Sequence, residues 1–541
     1  MRAPFSRTLI DLLCEQAERY PNHTAVVDER CEVSYVTLCQ NVFRVAGALR
    51  KAGVRTGDRV GILANNRVEW IELCIAASAL GAIATPFSTW STPRELDFLL
   101  RDSGTKLLFT IERFGERHFA DELAAMLADP KTCPPALEQI VVIEESNDAA
   151  RAPGVFKSYD YFLSQASHFE LPPPGERAGA DDIAFVLYTS GSTAHPKAVP
   201  NIHGAVIENG FHIGERQGLT PVDRVFLPAP LFWSYGAANA MCATFTHGAA
   251  LVLQARFEPG TALSLIEQHA CTSIYTLPAI THALISHASF QPSRTASLRT
   301  AMTIGTPQDV ATVAQVLGAR EVCNVYGQTE SYGNCCVTWH HWPLERRMTV
   351  QGPPLPGVTI RIVDPETARL VEPGEVGAIE VHGYLTPGYL GESAAQNADS
   401  FTSDGFFRTG DLGLLTAEGD LVFKARTSEM IKRAGINIAP ADIEEVLRQH
   451  PSVAAAGVTS APDPLKGELV IAFVVPTRGT HIEPDTLRAH CRALAAVYKT
   501  PDRFEFVESL PVTNTGKLLR RELKQMALSI AGQPPHSPSA G

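Results

Sequence analysis

The sequence predicts an α/β protein with a large N-terminal domain and a smaller α+β domain at the C-terminus. Amphipathic helical patterns alternate with short apolar runs through the first 350 residues, which favours largely parallel sheets covered by helices. After Gly352, short strands lie between Gly and Pro turns. From about residue 428 the chain has the pattern of a separate module, and 541 residues are too many for one ordinary core.

Helices and strands of the first part follow from their apolar periodicity. Stretches 9–20 and 37–52 have the spacing of amphipathic helices, whereas 59–64 and 106–110 are short apolar runs typical of strands. The longest apolar run, 74–86, is too short to span a bilayer. We interpret it as a core helix with its turn.

Turn-forming residues divide this first part further. The Pro- and Gly-rich stretch 172–175 and the small residues 178–180 mark a surface connection between two subdomains. Later strands are predicted at 358–363, 377–382 and 421–424. Their Gly and Pro turns suggest a small β-barrel.

The C-terminal module is predicted to combine helices with strands. Its helices are 441–450, 484–497 and one that begins at Leu518, and its strands are 453–459, 469–475 and 503–507. The predicted domains are therefore an N-terminal domain at 1–427, a C-terminal domain at 428–528 and a disordered tail at 529–541.

Composition and charge exclude several classes of function. The net charge of −12 disfavours nucleic-acid binding, because no basic patch offsets the repulsion of phosphates. The eleven cysteines form no CxxC pair, which is typical of reduced thiols inside cells. The N-terminus has no apolar signal segment, and no run is long enough for a transmembrane helix. We expect a cytoplasmic protein whose oligomeric state stays open, with a homodimer among the alternatives.

The stretch from Ile183 to Lys197 carries the first chemical signal. A buried strand leads into a loop of small and hydroxyl residues, and Lys197 follows a proline. Such a loop can cradle an anion with its backbone N–H groups, and hydroxyls and a lysine complete a polyphosphate site. The spacing is not that of a Walker A motif. By chemistry alone, an ordinary Ser/Thr-rich loop remains an alternative.

The segment from Tyr188 to Lys197 resembles the phosphate-loop signature of the adenylate-forming superfamily, which contains acyl-CoA synthetases, peptide-synthetase adenylation domains and firefly luciferase. Four further signatures follow in that superfamily's order, at 326–330, 407–411, 426–440 and 511–517. The resemblance covers about residues 8–528 and is strongest to an acyl-CoA ligase. It implies two α/β subdomains and a β-barrel, followed by a small mobile C-terminal domain.

The resemblance also implies an ATP site. Thr189 and Glu330 would hold Mg²⁺, for which a hydroxyl and a carboxylate are suitable ligands. Thr329 would contact the α-phosphate, and Asp411 would accept two hydrogen bonds from the ribose, with Arg426 beside it. The other predicted ATP-binding residues are Ser190, Gly191, Ser192, Thr193 and Lys197 around the phosphates, Gly305, Thr306 and Tyr326 along the adenine, and Gly327 and Gln328 of the motif that contains Tyr326.

The resemblance implies roles in successive steps for four residues of the C-terminal domain. Lys517 would bridge the carboxylate and the α-phosphate during adenylation, for which its compact charge is suitable. After rotation of the small domain, Lys432 and Gly435 would face coenzyme A. Ser428 matches the hinge, where relatives usually have Asp or Lys. The catalytic candidates are Lys517, Thr189, Glu330 and Lys432.

The segment 230–236 matches the one that lines the acid in relatives. Its candidate pocket residues are Phe232, Trp233, Tyr235 and Gly236. Amino-acid-activating relatives place an Asp here, and its absence argues against an α-amino acid, since a buried ammonium without a partner costs several kcal/mol. A compact aryl, alicyclic or medium-chain acid is expected, although Trp233 could also be a plain core residue.

Alanine replaces glycine at two positions of the phosphate-loop signature, Ala194 and Ala198, and Ala425 stands where relatives often have Gly or Asp. Glycine permits φ > 0 and a close backbone approach, which alanine does at a cost. Three hypotheses stay open. The first is an acid–CoA ligase that uses ATP, Mg²⁺ and CoA. The second is an adenylating enzyme that loads a separate carrier protein, and the third is a catalytically impaired nucleotide-binding paralogue.

Overall fold

The computed structural model describes residues 7–129, 133–143, 155–173, 177–189, 196–433, 436–463, 466–480, 482–495, 497–512 and 518–530. The chain forms two compact units. The first comprises Met1–Leu277, Thr281–Thr359 and Val381–Phe407, and the second comprises Pro278–Ile280, Ile360–Glu380 and Arg408–Gly541. The boundary at 427/428 stays a prediction from the sequence. Residues 531–541 of the predicted tail lie outside the described residues.

The α-helices alternate with strands along most of the chain. They are α1 Leu9–Arg19, α2 Tyr35–Lys51, α3 Val68–Ala79, α4 Pro93–Ser103, α5 Phe119–Ala128, α6 Tyr159–Ser164, α7 His203–Gln217, α8 Cys242–Thr246, α9 Pro259–Gln268, α10 Pro278–Ser286, α11 Pro307–Gln315, α12 Leu344–Thr349, α13 Asn397–Ser400, α14 Pro440–Arg448, α15 Pro484–Leu494 and α16 Arg520–Ile530. A π-helix, Tyr235–Met241, precedes α8.

The strands are short in the first unit and longest near the C-terminus. They are β1 Thr24–Val27, β2 Glu32–Ser34, β3 Arg59–Leu63, β4 Ile83–Pro86, β5 Leu107–Thr110, β6 Gln139–Val142, β7 Phe156–Ser158, β8 Ile183–Thr189, β9 Lys197–Ile202, β10 Arg224–Leu227, β11 Ala250–Leu253, β12 Ser273–Tyr275, β13 Thr300–Thr303, β14 Glu321–Tyr326, β15 Cys336–Val337, β16 Thr359–Val363, β17 Gly377–His382, β18 Phe407–Leu415, β19 Leu421–Arg426, β20 Ile431–Arg433, β21 Ile436–Ile438, β22 Val453–Asp463, β23 Gly467–Pro476 and β24 Arg503–Phe506.

Two large sheets organise the first unit. One has the order β7–β6–β5–β3–β4–β8–β9, and its strands are parallel except for the antiparallel β8–β9 pair. The other has the order β15–β14–β13–β12–β10–β11–β1–β2, with antiparallel pairs at its two edges. These sheets confirm the predicted α/β class with two subdomains. The three strands predicted after Gly352 correspond to β16, β17 and β19, and together with β18, which was not predicted as a strand, they form a four-stranded sheet in the order β16–β17–β18–β19.

The core of the first unit explains the long apolar run near residue 74. Helix α3 is buried around most of its circumference, and Trp70 is fully buried. A helix with apolar residues around most of its circumference is stable only inside a protein, which is where the sheet and neighbouring helices place it. The interpretation of this run as a core helix and its turn into β4 is confirmed. None of the described helices combines the length and apolar character needed to cross a membrane.

The C-terminal module contains the sheet β21–β20–β23–β22, with β24 paired to β23. Alternate residues of β23 point to opposite faces, as the period of a strand requires. Val470, Ala472 and Val474 belong to one apolar cluster, whereas Ile471 and Phe473 belong to another. The first cluster includes residues of α14 and α15, and the second includes residues of α16. The helices and strands predicted for this module are confirmed, with boundaries that differ by a few residues.

Candidate functional site

The β8–β9 hairpin holds both ends of the predicted phosphate loop. Thr189 ends β8 and Lys197 begins β9, and the two residues are direct partners in the antiparallel register. The structure therefore places these two candidates side by side at one edge of a sheet. The candidates Ser190, Gly191, Ser192 and Thr193, together with Ala194 and His195, lie outside the described residues.

Ala198 lies in a regular strand rather than in a tight turn. It pairs with Tyr188, and its backbone carbonyl accepts a hydrogen bond from the Leu390 N–H at 3.0 Å. Its buried methyl group belongs to an apolar cluster with Ile83 and Val186. Because an extended backbone is open to any residue, alanine is not strained here. The cost that the missing glycine led us to expect is absent at this position.

Tyr188 fixes the end of β8 through its hydroxyl group. The hydroxyl donates to Oδ2 of Asp102 at 2.7 Å, and Oδ1 of Asp102 accepts the Glu392 N–H at 2.8 Å. Burial and the neighbouring Asp102 carboxylate raise the pKa of the Tyr188 phenol, so it stays a donor at neutral pH. Asp102 thus anchors the strand that leads into the phosphate loop, and it was not among the predicted site residues.

Gly327 and Glu330 lie in a turn that follows β14. A Cβ at Gly327 would lie 2.4 Å from the Gly333 carbonyl oxygen, so only glycine fits. The next residues form a 3₁₀ turn, Thr329–Ser331. Glu330 is buried, its Oε1 accepts the Tyr389 hydroxyl at 2.7 Å, and its carbonyl accepts the Thr386 N–H at 2.7 Å. Tyr389 was not predicted from the sequence, because it lies outside the motifs to which a role was assigned.

Tyr332 stabilises this turn in an unusual backbone conformation. Its φ of 55° lies in the left-handed region, which non-glycine residues adopt only when the surroundings hold them there. The amide groups of Asn209 and Asn239 donate to its carbonyl oxygen at 3.3 and 2.7 Å, and its hydroxyl donates to the Leu385 carbonyl. Asn239 belongs to the π-helix, so this helix helps to fix the turn that carries Glu330.

The residues predicted along the adenine lie at the ends of two adjacent strands. Tyr326 is the last residue of β14 and is buried, and Gln328 follows Gly327 directly. Gly305 has a φ of 146° and lies after β13, and Thr306 forms the N-terminal cap of α11 with Asp309. Since β13 and β14 are parallel neighbours, their carboxyl ends meet at one edge, where α/β sheets commonly bind ligands.

Aromatic rings surround the predicted acyl segment. Phe232 is buried and Trp233 is partly exposed, and the Trp90 ring contacts both edge-on, with centroids 5.5 and 5.1 Å away. Trp90 is 39% exposed. The Tyr235 hydroxyl is bonded to the carbonyl groups of Thr276 and Met302. The sequence did not predict Trp90, which lies in a loop far away along the chain.

The acyl segment contacts the 3₁₀ turn Thr329–Ser331, which contains the predicted α-phosphate and magnesium contacts. Ser234 and Thr329 hydroxyl groups lie 3.1 Å apart. Gly236 is the second residue of the π-helix. Such helices are rare in proteins, and those that occur are often at functional sites. A Cβ at Gly236 would lie 2.3 Å from the Pro230 carbonyl oxygen.

The second unit contains the predicted ribose-binding pair. Asp411 and Arg426 are direct partners across β18 and β19, and Arg426 Nε lies 3.5 Å from Asp411 Oδ1. The Asp411 carboxylate is buried, whereas the Arg426 side chain is half exposed. Ala425 lies beside them in β19 and is buried. The structure thus joins these two candidates, which are fifteen positions apart in the sequence.

Four further candidates of this unit lie wholly or in part outside the described residues. Gly435 and Lys517 lie outside the described residues, and for Ser428 and Lys432 the description covers the backbone alone. Lys432 lies in β20. Their implied roles at the hinge, at adenylation and toward coenzyme A stay predictions.

Oxygen ligands suitable for Mg²⁺ are present, although the described residues contain no group of three or more His, Cys, Asp or Glu side chains arranged for a metal. Mg²⁺ binds mainly to carboxylates, substrate phosphates and water. Glu330 offers a carboxylate with one oxygen bonded to Tyr389, and Thr189 offers a hydroxyl. This donor set fits a Mg²⁺ ion that is bound together with a polyphosphate.

Known proteins match the chain over nearly its whole length. Residues 13–390 match the model of the AMP-binding enzyme family, and residues 442–517 match the AMP-binding enzyme C-terminal domain. The putative acyl-CoA synthetase YngI of Bacillus subtilis is 28% identical, with 97% of each chain covered. A feruloyl-CoA synthase of an Amycolatopsis species is 31% identical, with 94% of this chain and 97% of the relative covered.

A solved structure agrees with this assignment. The anthranilate CoA ligase AuaEII in complex with anthranoyl-AMP superposes with a TM-score of 0.86 at 25% identity, covering 98% of this chain and 100% of that chain. The fold, the ordered motifs and the relatives lead to one conclusion. The chain belongs to the AMP-binding enzyme family and is an ATP-dependent acid–CoA ligase that works through an acyl-adenylate.

Proposed function

We propose that this ligase activates a compact apolar carboxylic acid that has no α-amino group. The observation that carries the proposal is the aromatic wall of the acyl segment, in which Trp90 contacts Phe232 and Trp233. Segment 230–236 contains no carboxylate that could pair with a buried ammonium. Aryl, alicyclic and medium-chain acids all match such a wall. The aromatic acids in the names of the feruloyl-CoA synthase and the anthranilate CoA ligase support the aryl class.

On the phosphate side, Thr189, the loop 190–193 and Lys197 would bind the pyrophosphate portion of ATP. Glu330 would hold Mg²⁺ with Thr189, and Thr329 would contact the α-phosphate. When bound, Mg²⁺ neutralises phosphate charge. The contact between the Ser234 and Thr329 hydroxyls supports a site in which the acid and the α-phosphate approach each other.

The nucleoside would be held by two further groups of residues. Tyr326, Gly305 and Thr306 would line the adenine, and Gly327 and Gln328 would belong to the same ATP site. Asp411 would accept hydrogen bonds from the two ribose hydroxyls, and Arg426, paired with it across the sheet, would orient that carboxylate.

The reaction has two displacement steps. A carboxylate oxygen of the acid attacks the α-phosphorus of ATP, the bond to the bridging oxygen breaks, and pyrophosphate leaves. The thiol of CoA then loses its proton and attacks the acyl carbonyl, and AMP leaves. Lys517 would stabilise the charge that develops in the first step. Lys432 and Gly435 would serve the second step after rotation about Ser428.

A panel of acids tests the substrate class. Purified enzyme is incubated with ATP, Mg²⁺ and one acid of each class, with and without CoA, and the release of AMP and pyrophosphate is measured. We expect turnover with at least one aryl, alicyclic or medium-chain acid, and we expect it to depend on CoA. Turnover with α-amino acids alone, turnover without CoA, or none with any acid would contradict the proposal.

Lys517→Ala tests the division of labour between the two steps. The variant should lose adenylate formation and retain thioester formation from a supplied acyl-AMP, because the lysine is assigned to the first step only. Equal loss of both steps would contradict that assignment. A cytoplasmic location and a homodimer are proposed on the sequence alone, and sedimentation equilibrium would test the dimer.

A further inference from the structure

Tyr389 contacts two groups that bind ATP in the proposed function. Its hydroxyl donates to Oε1 of Glu330 at 2.7 Å, and the Lys197 ammonium lies over its ring, with Nζ 4.6 Å from the centroid. The side chain is 3% exposed. One buried residue therefore connects the candidate magnesium ligand to the lysine of the phosphate loop.

The backbone around Tyr389 is fixed on both sides. Thr386 donates its N–H to the Glu330 carbonyl at 2.7 Å, and Leu390 donates its N–H to the carbonyl of Ala198, the residue after Lys197. The Asn397 side chain accepts from the Tyr389 N–H and donates to the Tyr389 carbonyl, at 2.7 and 3.1 Å. A side chain that orients others must itself be held in place, and these bonds meet that requirement.

Tyr389 lies between two side chains of opposite charge, Lys197 and Glu330, which could otherwise pair with each other. A direct ion pair between them would occupy the groups that ATP and its metal need, and ATP would have to break it. Within the described ranges no ion pair joins these two residues; instead, each contacts Tyr389. The ring attracts the ammonium through its quadrupole without a carboxylate partner, so the N–H donors that point away from the ring remain for phosphate oxygens.

The contact with Glu330 likewise leaves part of that side chain available for ligands. The phenol binds one oxygen of Glu330, and the second oxygen remains for a cation.

We propose that Tyr389 is a positioning residue that keeps Lys197 and Glu330 apart and aligned for a metal-bound polyphosphate. The inference rests on the proposed function, because it takes these two residues as the phosphate and magnesium contacts. Tyr389 acts through them and touches neither the acid nor the α-phosphorus.

Calorimetric titration of the full chain with ATP, in Mg²⁺ and in EDTA, tests the proposal. Tyr389→Phe keeps the ring under Lys197 and removes the hydroxyl from Glu330. We expect its affinity for Mg²⁺–ATP to fall roughly tenfold or more, since a hydrogen bond to a charged group is lost, and its affinity for ATP in EDTA to stay unchanged. Tyr389→Leu also removes the ring, and it should lose roughly threefold or more in EDTA as well.

Tyr384→Phe is the matched control. The Tyr384 hydroxyl also donates to a carboxylate, that of Glu208, but neither residue belongs to the proposed ATP site. This variant should bind ATP like the wild type under both conditions. Thermal melting by circular dichroism confirms that each variant is folded, and Tyr389→Phe decides the question if Tyr389→Leu does not fold.

Two results would overturn the role of Tyr389. One is an unchanged Mg²⁺–ATP affinity in Tyr389→Phe, and the other is an equal loss with and without Mg²⁺ in that variant, which a merely structural role would produce. A wild-type enzyme that binds Mg²⁺–ATP but releases no pyrophosphate with any acid would contradict the proposed function, while the variant affinities would still decide the role of Tyr389. A wild-type enzyme that does not bind ATP would overturn both.

Discussion

Replacing Gly236 with alanine should impair acid activation far more than nucleotide binding. The backbone φ at Gly236 is not positive, so the penalty comes from space alone. The new Cβ would lie 2.3 Å from the Pro230 carbonyl oxygen and 2.8 Å from the Leu231 Cα. Both are backbone atoms, and no side-chain rotation can relieve the clash. Segment 230–236 must therefore move by about 1 Å, and such overpacking costs about 1–3 kcal/mol.

A displacement of about 1 Å in groups that orient a substrate can reduce the rate by about 100-fold. We therefore expect kcat/KM for the preferred acid to fall about 10- to 100-fold in Gly236→Ala. The affinity for Mg²⁺–ATP without acid should fall by a smaller factor than kcat/KM, because Thr189 and Lys197 are on other elements and, within the described residues, only Asn239 of the same π-helix bonds the turn that carries Glu330. Initial rates of pyrophosphate release and calorimetric titration measure the two quantities.

Gly179→Ala provides the control for this substitution. The Cβ there would be 3.7 Å from Oδ2 of Asp182, an ordinary contact, and the φ is again not positive. That variant should match the wild type in both assays. If Gly236→Ala keeps the wild-type kcat/KM for acids, or if it loses acid activation and ATP affinity to the same degree, the assignment of Gly236 to the acyl segment is refuted.

Three further substitutions test other parts of the first unit. Glu72 is buried on α3, and burial raises its pKa from 4.5 to about 7. The stability that depends on protonated Glu72 is fully present below pH 4.5 and is lost as the pH rises through 7. This loss amounts to at most about 3 kcal/mol of the free energy of unfolding. Thermal melts at pH 5 and pH 8 should therefore differ less in Glu72→Gln than in the wild type, and parallel curves would refute this. Trp90→Ala should shift kcat/KM about tenfold toward bulkier acids and leave the melting temperature nearly unchanged, because the ring is 39% exposed; an unchanged acid preference would remove Trp90 from the pocket wall. Asn239→Ala removes the 2.7 Å hydrogen bond to the Tyr332 carbonyl and should destabilise the chain by about 1–2 kcal/mol in a denaturant melt, unless the Asn209 amide compensates fully, in which case the midpoint does not move.

Local patterns sufficed for the elements and the order of the motifs. Helix α1 follows from its apolar spacing and Thr8 cap, and α15 begins at Pro484, a favoured first helical residue. Helix α15 ends at Leu494 rather than at the predicted 497, because helix ends depend on packing that periodicity does not report.

Contacts between distant segments could not be predicted in this way. Tyr389 is 59 positions from Glu330, and Asn239 is 93 positions from Tyr332. A single sequence does not report which side chains meet over such separations, so Tyr389, Asn239 and Trp90 were missed. At Ala198 the sequence suggested too much. The alanine that replaces a glycine of the phosphate-loop signature suggested a strained backbone, whereas the strand pairing shows an extended one.

The π-helix Tyr235–Met241 connects the acyl segment to the buried helix α8, so a change in the acyl segment need not change the packing of α8. Its i→i+5 bonding accommodates one residue more per turn than an α-helix does. Loss of one residue within this stretch would restore α-helical bonding and leave Cys242 and Phe245 of α8 in the core. The register of the segment before it would shift by one position. A one-residue deletion here is therefore expected to alter the acyl segment while the interior that follows keeps its packing.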